Sequence, residues 1–275
     1  MLPRTATNFA DVLRIQQVEL KRFTIDQLMG SLYQLNLDVS VAGSVAPHRR
    51  RLLQRRSSNP NRKKDKGRYY TVTYARIKQW YPNAQRVPTT AVELIQIRQF
   101  LDVADCQTLV GMIETRRRPS TITDSNGDPA FRTSETCDLF PVEPIVAKLD
   151  ARLAELLDIG AEHGEIMQGQ RYLTGQEFKA HTDWFEPTGH DYAEHCAVQG
   201  QRTWTAMIYL NEPKAGGATR FKIIDKMIRP ETGKLLLWNN LDRDGRPNPA
   251  TLHQGMKVRA GCKYIITKWF RERGR

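Results

Sequence analysis

Three of the six histidines, His181, His190 and His195, lie close together, and the first stands in Phe178-Lys179-Ala180-His181-Thr182-Asp183-Trp184-Phe185. On an extended segment residues i and i+2 share a face, so His181 and Asp183 can reach one metal ion while a third ligand comes from elsewhere. His253, in Asn248-Pro249-Ala250-Thr251-Leu252-His253-Gln254-Gly255, is the candidate. Two imidazoles and one carboxylate on one face of an octahedral metal leave three positions open, the arrangement with which non-heme Fe(II) sites bind a co-substrate and O2.

A His-x-Asp pair recurs by chance in many chains, and Lys263 makes this one specific. It follows His253 with nine residues between them, at the start of a β-rich run in which alternation points it inward. A buried lysine is costly unless paired, and a dicarboxylate co-substrate anchored by its far carboxylate supplies the pair. His190 and His195 sit on the polar stretch 186–200, which reads as a substrate-facing loop or lid rather than as a source of ligands.

The elements that must position these residues are legible in outline. Cys106, Leu109, Val110 and Ile113 fall at helical spacing, as do Val146, Leu149, Leu153, Leu156 and Leu157 ahead of Gly160. Short β-rich runs follow, over Ile166 to Leu173, Thr203 to Leu210, Lys234 to Trp238 and Lys263 to Phe270, separated by Gly, Pro, Asn and Asp clusters. The pattern predicts a mainly β domain with packed α-helices (α+β), the strands forming a sandwich or a barrel. Four separated cysteines, Cys106, Cys137, Cys196 and Cys262, are expected as reduced thiols.

The net charge of +12 is not spread along the chain: residues 1–90 hold 17 Lys or Arg against 5 Asp or Glu, and residues 91–275 hold 25 of each. The excess is densest over residues 49–68, which reads as a flexible basic linker. Ahead of it two short helices are expected, from Phe9, Val12 and Leu13, and from Ile25, Leu28, Met29, Leu32 and Leu35 behind Thr24. The organisation expected is therefore 1–68 as a basic, partly helical region, 69–90 as a connecting segment and 91–275 as the catalytic domain. Such an arm docks on an acidic protein or binds nucleic acid or a ribonucleoprotein through phosphates, although no zinc-finger, RNP-type or repeat pattern accompanies it. No apolar run is long enough for a membrane span, and the N-terminal residues carry no secretory pattern, so no membrane partner and a cytoplasmic location are expected.

Several blocks, taken in order, resemble the prolyl 4-hydroxylase (alpha-subunit-like) family of 2-oxoglutarate- and Fe(II)-dependent dioxygenases. Phe131-Arg132-Thr133-Ser134 resembles its RTS segment. Gln170-Arg171-Tyr172-Leu173-Thr174-Gly175-Gln176-Glu177-Phe178 through His181-Thr182-Asp183 resembles its RY-x-x-GQ-x-(F/Y)-x-x-H-x-D strand pair. The run ending in Tyr209-Leu210-Asn211, the pair Gly216-Gly217, Leu236-Leu237-Trp238-Asn239 and Leu252-His253-Gln254-Gly255 continue the likeness, which covers roughly residues 90–272. The resemblance implies a double-stranded β-helix (jelly-roll, cupin-like) core with Fe(II) held by His181, Asp183 and His253. It further implies Lys263 on the distal carboxylate of 2-oxoglutarate, Tyr209 and Tyr172 lining that pocket, and Arg132 and Trp238 near a peptide channel. O2 is the second co-substrate and ascorbate the reductant. The activity implied is hydroxylation of a prolyl residue in a peptide or protein, with release of succinate and CO2. Hydroxylation of another residue or of a small molecule shares most of these features, and a nucleic-acid-binding protein working through its basic arm is the alternative of a different class.

Overall fold

The structure, a computed structural model, describes residues 74–120, 130–189 and 192–275. The basic stretch 49–68, both expected N-terminal helices and His190 lie outside the described residues. In chain order the elements are α1 (Tyr74–Trp80), β1 (Gln85–Arg86), β2 (Leu94–Ile97), α2 (Val103–Arg116), β3 (Arg118–Pro119), β4 (Glu135–Leu139) and α3 (Pro144–Leu157). There follow β5 (Met167–Tyr172), β6 (Phe178–His181), α4 (Tyr192–Cys196), β7 (Arg202–Tyr209), β8 (Ala215–Gly216), β9 (Thr219–Phe221), β10 (Lys226–Ile228) and β11 (Leu235–Asn239). The chain closes with β12 (His253–Gly255), β13 (Val258–Ala260) and β14 (Lys263–Arg271).

All strand pairs are antiparallel. The large sheet runs β1-β2-β11-β7-β14-β5-β4-β3, a smaller one β10-β9-β12-β6, and β8 pairs with β13. The strand order and the shared core between the two main sheets give the expected double-stranded β-helix. The central strands β7, β11 and β14 of the large sheet are buried on both faces, and alternation divides their residues between two cores. Leu235, Leu237, Trp204, Ala206, Ile208, Ile266 and Phe270 face α2 and α3, with Leu109, Ile113, Leu149 and Leu153 against them. Leu236, Trp238, Met207, Tyr209 and Ile265 face inward against Phe221 and Ile228 of the smaller sheet. That inner face holds the site.

Both helices predicted within residues 91–275 form, and their local chemistry explains their limits. At the start of α2 the Asp102 side chain accepts a hydrogen bond from the Asp105 N–H at 2.7 Å, and α3 opens on Pro144 and closes at Asp158 in the left-handed region. The sequence reading starts the domain at 91, yet Ile77 and Ala84 are fully buried with the outer core, and β1 pairs with β2. Residues 74–90 are therefore part of the packed domain, because the apolar side chains in this otherwise polar stretch cover one end of that core.

Candidate metal centre and its cavity

β6 and β12 are neighbours in the smaller sheet, and His181 stands directly opposite His253. β6 ends at His181, so Asp183 arrives on the bend just beyond the strand rather than by pleat alternation within it. One ligand atom from each of the three residues can be chosen so that all lie within 4.8 Å of one another, close enough for a single metal ion. Each histidine is tied through Nδ1 to the carbonyl two residues back: His181 to Lys179 at 2.8 Å and His253 to Thr251 at 3.0 Å. That contact makes Nδ1 the donor and leaves Nε2 as the lone-pair atom facing the cluster, the usual way a ligand imidazole is oriented.

The carboxylate is held as firmly. Thr205 donates to Asp183 Oδ2 at 2.7 Å, and Asn240 donates to the same threonine oxygen at 2.8 Å. Burial alone would push the Asp183 carboxyl up, but the two imidazoles, Arg202 and the Thr205 bond outweigh it and hold the group below its usual range. Burial, and then the neighbouring His253, bring His181 down to about 3, so its ring is neutral and ready to ligate. Phe178 stacks on His181 with ring centroids 3.6 Å apart, and Trp238 lies edge-on to His253 at 5.0 Å. Apolar rings therefore fix both imidazole planes.

One cavity is lined by all three of these residues together with Lys263, Tyr172, Phe178 and Trp238. Lys263 is buried, donates to the Gly217 carbonyl at 3.1 Å and lies 4.4 Å from the centre of the Tyr172 ring. No carboxylate among the described residues pairs with it, and burial lowers its pKa to about 7. A buried ammonium that pairs with no carboxylate among the described residues, in a cavity whose one lining carboxylate is the ligand candidate Asp183, fits a carboxylate-bearing ligand, and the N2O donor set fits a divalent iron. These residues suit both Fe(II) and 2-oxoglutarate.

The remaining candidates divide. Tyr172 is on the cavity wall, its hydroxyl donating to Gln170 at 2.7 Å. The Tyr209 hydroxyl instead donates to Thr219 Oγ1 at 2.6 Å, and it is Thr219 that meets the cavity. Arg132 stands outside the cavity wall, its guanidinium 4.9 Å from the Phe178 ring centre and its Nε donating to Ser134 at 3.1 Å. The Trp238 indole N–H is buried at the cavity with no hydrogen-bond partner among the described residues. His195 stacks on Phe185 at 4.9 Å and takes no place in the metal cluster.

Several functional residues escape the sequence reading. Thr267 and Trp269 line the cavity and could have been found by counting in twos from Lys263 through Ile265 along β14. Arg202 has no local signal of its role. It donates to the Asp183 carbonyl at 3.3 Å, grips Glu165 with two bonds of 2.7 Å and lies 4.1 Å from the centre of the Trp269 ring. Gln201 pins the same bend, exchanging 2.7 Å bonds with the Phe185 backbone N–H and carbonyl.

Comparison with known proteins agrees with this geometry. The family model of the 2OG-Fe(II) oxygenase superfamily matches residues 167–271. Prolyl 4-hydroxylase 1 of Arabidopsis thaliana is 27% identical over 270 residues, spanning 91% of this chain and 94% of its own. The human prolyl 4-hydroxylase subunit alpha-1 is 26% identical over 186 residues, 66% of this chain but 35% of that one. Among solved structures, a viral collagen prolyl hydroxylase from Paramecium Bursaria Chlorella virus-1, in complex with 2OG, superposes with a TM-score of 0.52 at 26% identity, covering 65% of this chain and 95% of that one. Nothing in these comparisons supports a nucleic-acid partner.

Proposed function

From the premise that the chain carries a 2OG-Fe(II) oxygenase domain, we propose that it hydroxylates a prolyl residue of a peptide or protein. The observation that carries the oxygenase part of this reading is the convergence of His181, Asp183 and His253 beside the buried Lys263, which pairs with no carboxylate among the described residues. His181 and His253 would hold the iron through Nε2 and Asp183 through its carboxylate. When bound, Fe(II) with 2-oxoglutarate and O2 supplies the oxidising chemistry, the co-acid leaving as succinate and CO2.

The chain's own residues position and shield. Lys263 would pair with the distal carboxylate of the co-acid, with the Tyr172 ring against its ammonium. Thr205 and Asn240 fix the rotamer of Asp183, Phe178 and Trp238 hold the imidazole planes, and burial of the site excludes water from the reacting centre. The Trp238 N–H, which has no partner among the described residues, would hold ligand; Arg132, stacked on Phe178, would act at the substrate side. The prolyl assignment rests on the likeness to prolyl 4-hydroxylases, and ascorbate is proposed as the reductant that keeps the iron in the Fe(II) state.

The test is succinate release by the Fe(II)-loaded full chain in air with ascorbate, with and without proline-containing peptides, and with His181→Ala as control. Stimulation by a proline peptide, abolished in the variant, is the expected result. Stimulation only by alanine-substituted peptides or small molecules would reject the prolyl assignment, and succinate release by His181→Ala at the wild-type rate would reject the metal centre.

A further inference from the structure

A second concavity, about 530 Å³, lies apart from the metal centre, between the β8–β13 ribbon and the segment running from β10 through Pro230. Its charge is one-sided. Lys214, Arg229, Lys257 and Arg259 line it against a single carboxylate, Glu212, which already accepts a hydrogen bond from the Thr232 N–H at 3.2 Å. Lys214, Arg229 and Arg259 have no ion-pair partner among the described residues, and Lys257 reaches Glu177 only at 3.7 Å while remaining exposed. Because residues 91–275 are neutral in sum, this is a local concentration of positive charge and not the domain's general character.

The pleat explains how it is built. Val258 is fully buried, so its neighbours Lys257 and Arg259 both turn outward on one face, and the two-stranded ribbon brings Lys214, next to β8, alongside them. Between the cations the wall is apolar: Met227 and Met256 with Pro213 and Pro230. Met227 is 54% exposed. Methionines repack around varied side chains, and arginines pair bidentately with carboxylates. Among the described residues no aromatic side chain lines the groove to stack a nucleobase, which disfavours single-stranded nucleic acid as the occupant.

We propose that this groove docks an acidic polypeptide segment whose carboxylates meet Lys214, Arg229 and Arg259 while its apolar side chains lie on Met227 and Met256. Charge complementarity decides the occupant, and the site is independent of the prolyl assignment.

Fluorescence anisotropy of the full chain with a labelled peptide of alternating glutamate and leucine tests the groove. Its glutamine counterpart and a single-stranded RNA of equal charge serve as competitors. The variant Lys214→Glu/Arg229→Glu/Arg259→Glu is expected to bind the acidic peptide roughly tenfold or more weakly, with 2-oxoglutarate turnover unchanged as the check on folding. The counter-variant Arg49→Glu/Arg50→Glu/Arg51→Glu, in the basic N-terminal stretch, is expected to retain most of the groove's affinity. Wild-type affinity in the groove variant, loss confined to the N-terminal variant, or RNA displacing the peptide better than the peptide itself would each overturn the proposal.

Discussion

At Lys263 burial and ligand binding act in opposite directions. Removal from water lowers the ammonium to about pKa 7, whereas a bound carboxylate favours the charged form and raises it again. The sign follows: above about pH 7 the free protein must take up a proton to bind the co-acid, so the KM for 2-oxoglutarate is expected to climb towards tenfold per pH unit. A KM that stays flat from about pH 6 to 9 would mean that the amine remains charged without its ligand. Lys263→Ala should raise this KM by roughly a hundredfold, the scale of losing one partner of a buried charge pair, with a smaller effect on kcat. At this scale the sequence was most informative: residue type and the cost of burying charge single out His181, Asp183, His253 and Lys263, although Asp183 reaches the cluster from the bend after β6 and not by pleat alternation. Tyr209 shows the limit: the resemblance implied its place at the pocket, but its hydroxyl is captured by Thr219 on another strand, and Thr219 meets the cavity instead.

Helices α2 and α3 could be anticipated because an amphipathic stripe is a local property, while the order of strands in the two sheets depends on pairings between distant segments. One close contact shows what positions the inner face. At Gly169 of β5 an added Cβ would sit 2.5 Å from Ile113 Cγ1 of α2 and 3.0 Å from Cys137 Sγ of β4. The glycine lets the helix lie hard against the sheet on the face away from the cavity. Gly169→Ala is therefore expected to cost about 1–3 kcal/mol through overpacking. Urea unfolding should show this loss while the KM for 2-oxoglutarate stays at the wild-type value. A stable variant would mean that α2 shifts freely, and a large change in KM would mean that the sheet transmits the strain to the site.

Across the whole domain, the ends of the sheet and the bend carrying Asp183 meet at one half-buried acid, Glu165. Glu165 accepts from Arg202 of β7 and, at 2.9 Å, from Arg271 at the end of β14, while Arg202 also holds the Asp183 carbonyl. These partners are 37 and 106 residues away from Glu165, so no local pattern could reveal them. Burial would raise the Glu165 carboxyl, but the two guanidiniums overcome it and bring it down to about 2 from 4.5. A folded-state pKa below the unfolded one stabilises the protein above about pH 4.5, and this contribution, on the order of 3 kcal/mol, is lost as pH falls to about 2. Glu165→Gln removes it at every pH and leaves the buried Arg271 and the half-buried Arg202 without their anion, so unfolding at neutral pH should become easier by about 3 kcal/mol. The difference between wild type and variant should narrow as both are titrated from about pH 5 towards 2, because below about pH 4.5 the unfolded wild type binds a proton that the folded protein takes up only near pH 2. Equal stability of the two proteins at neutral pH would show that the cluster orients the Asp183 bend without stabilising the fold.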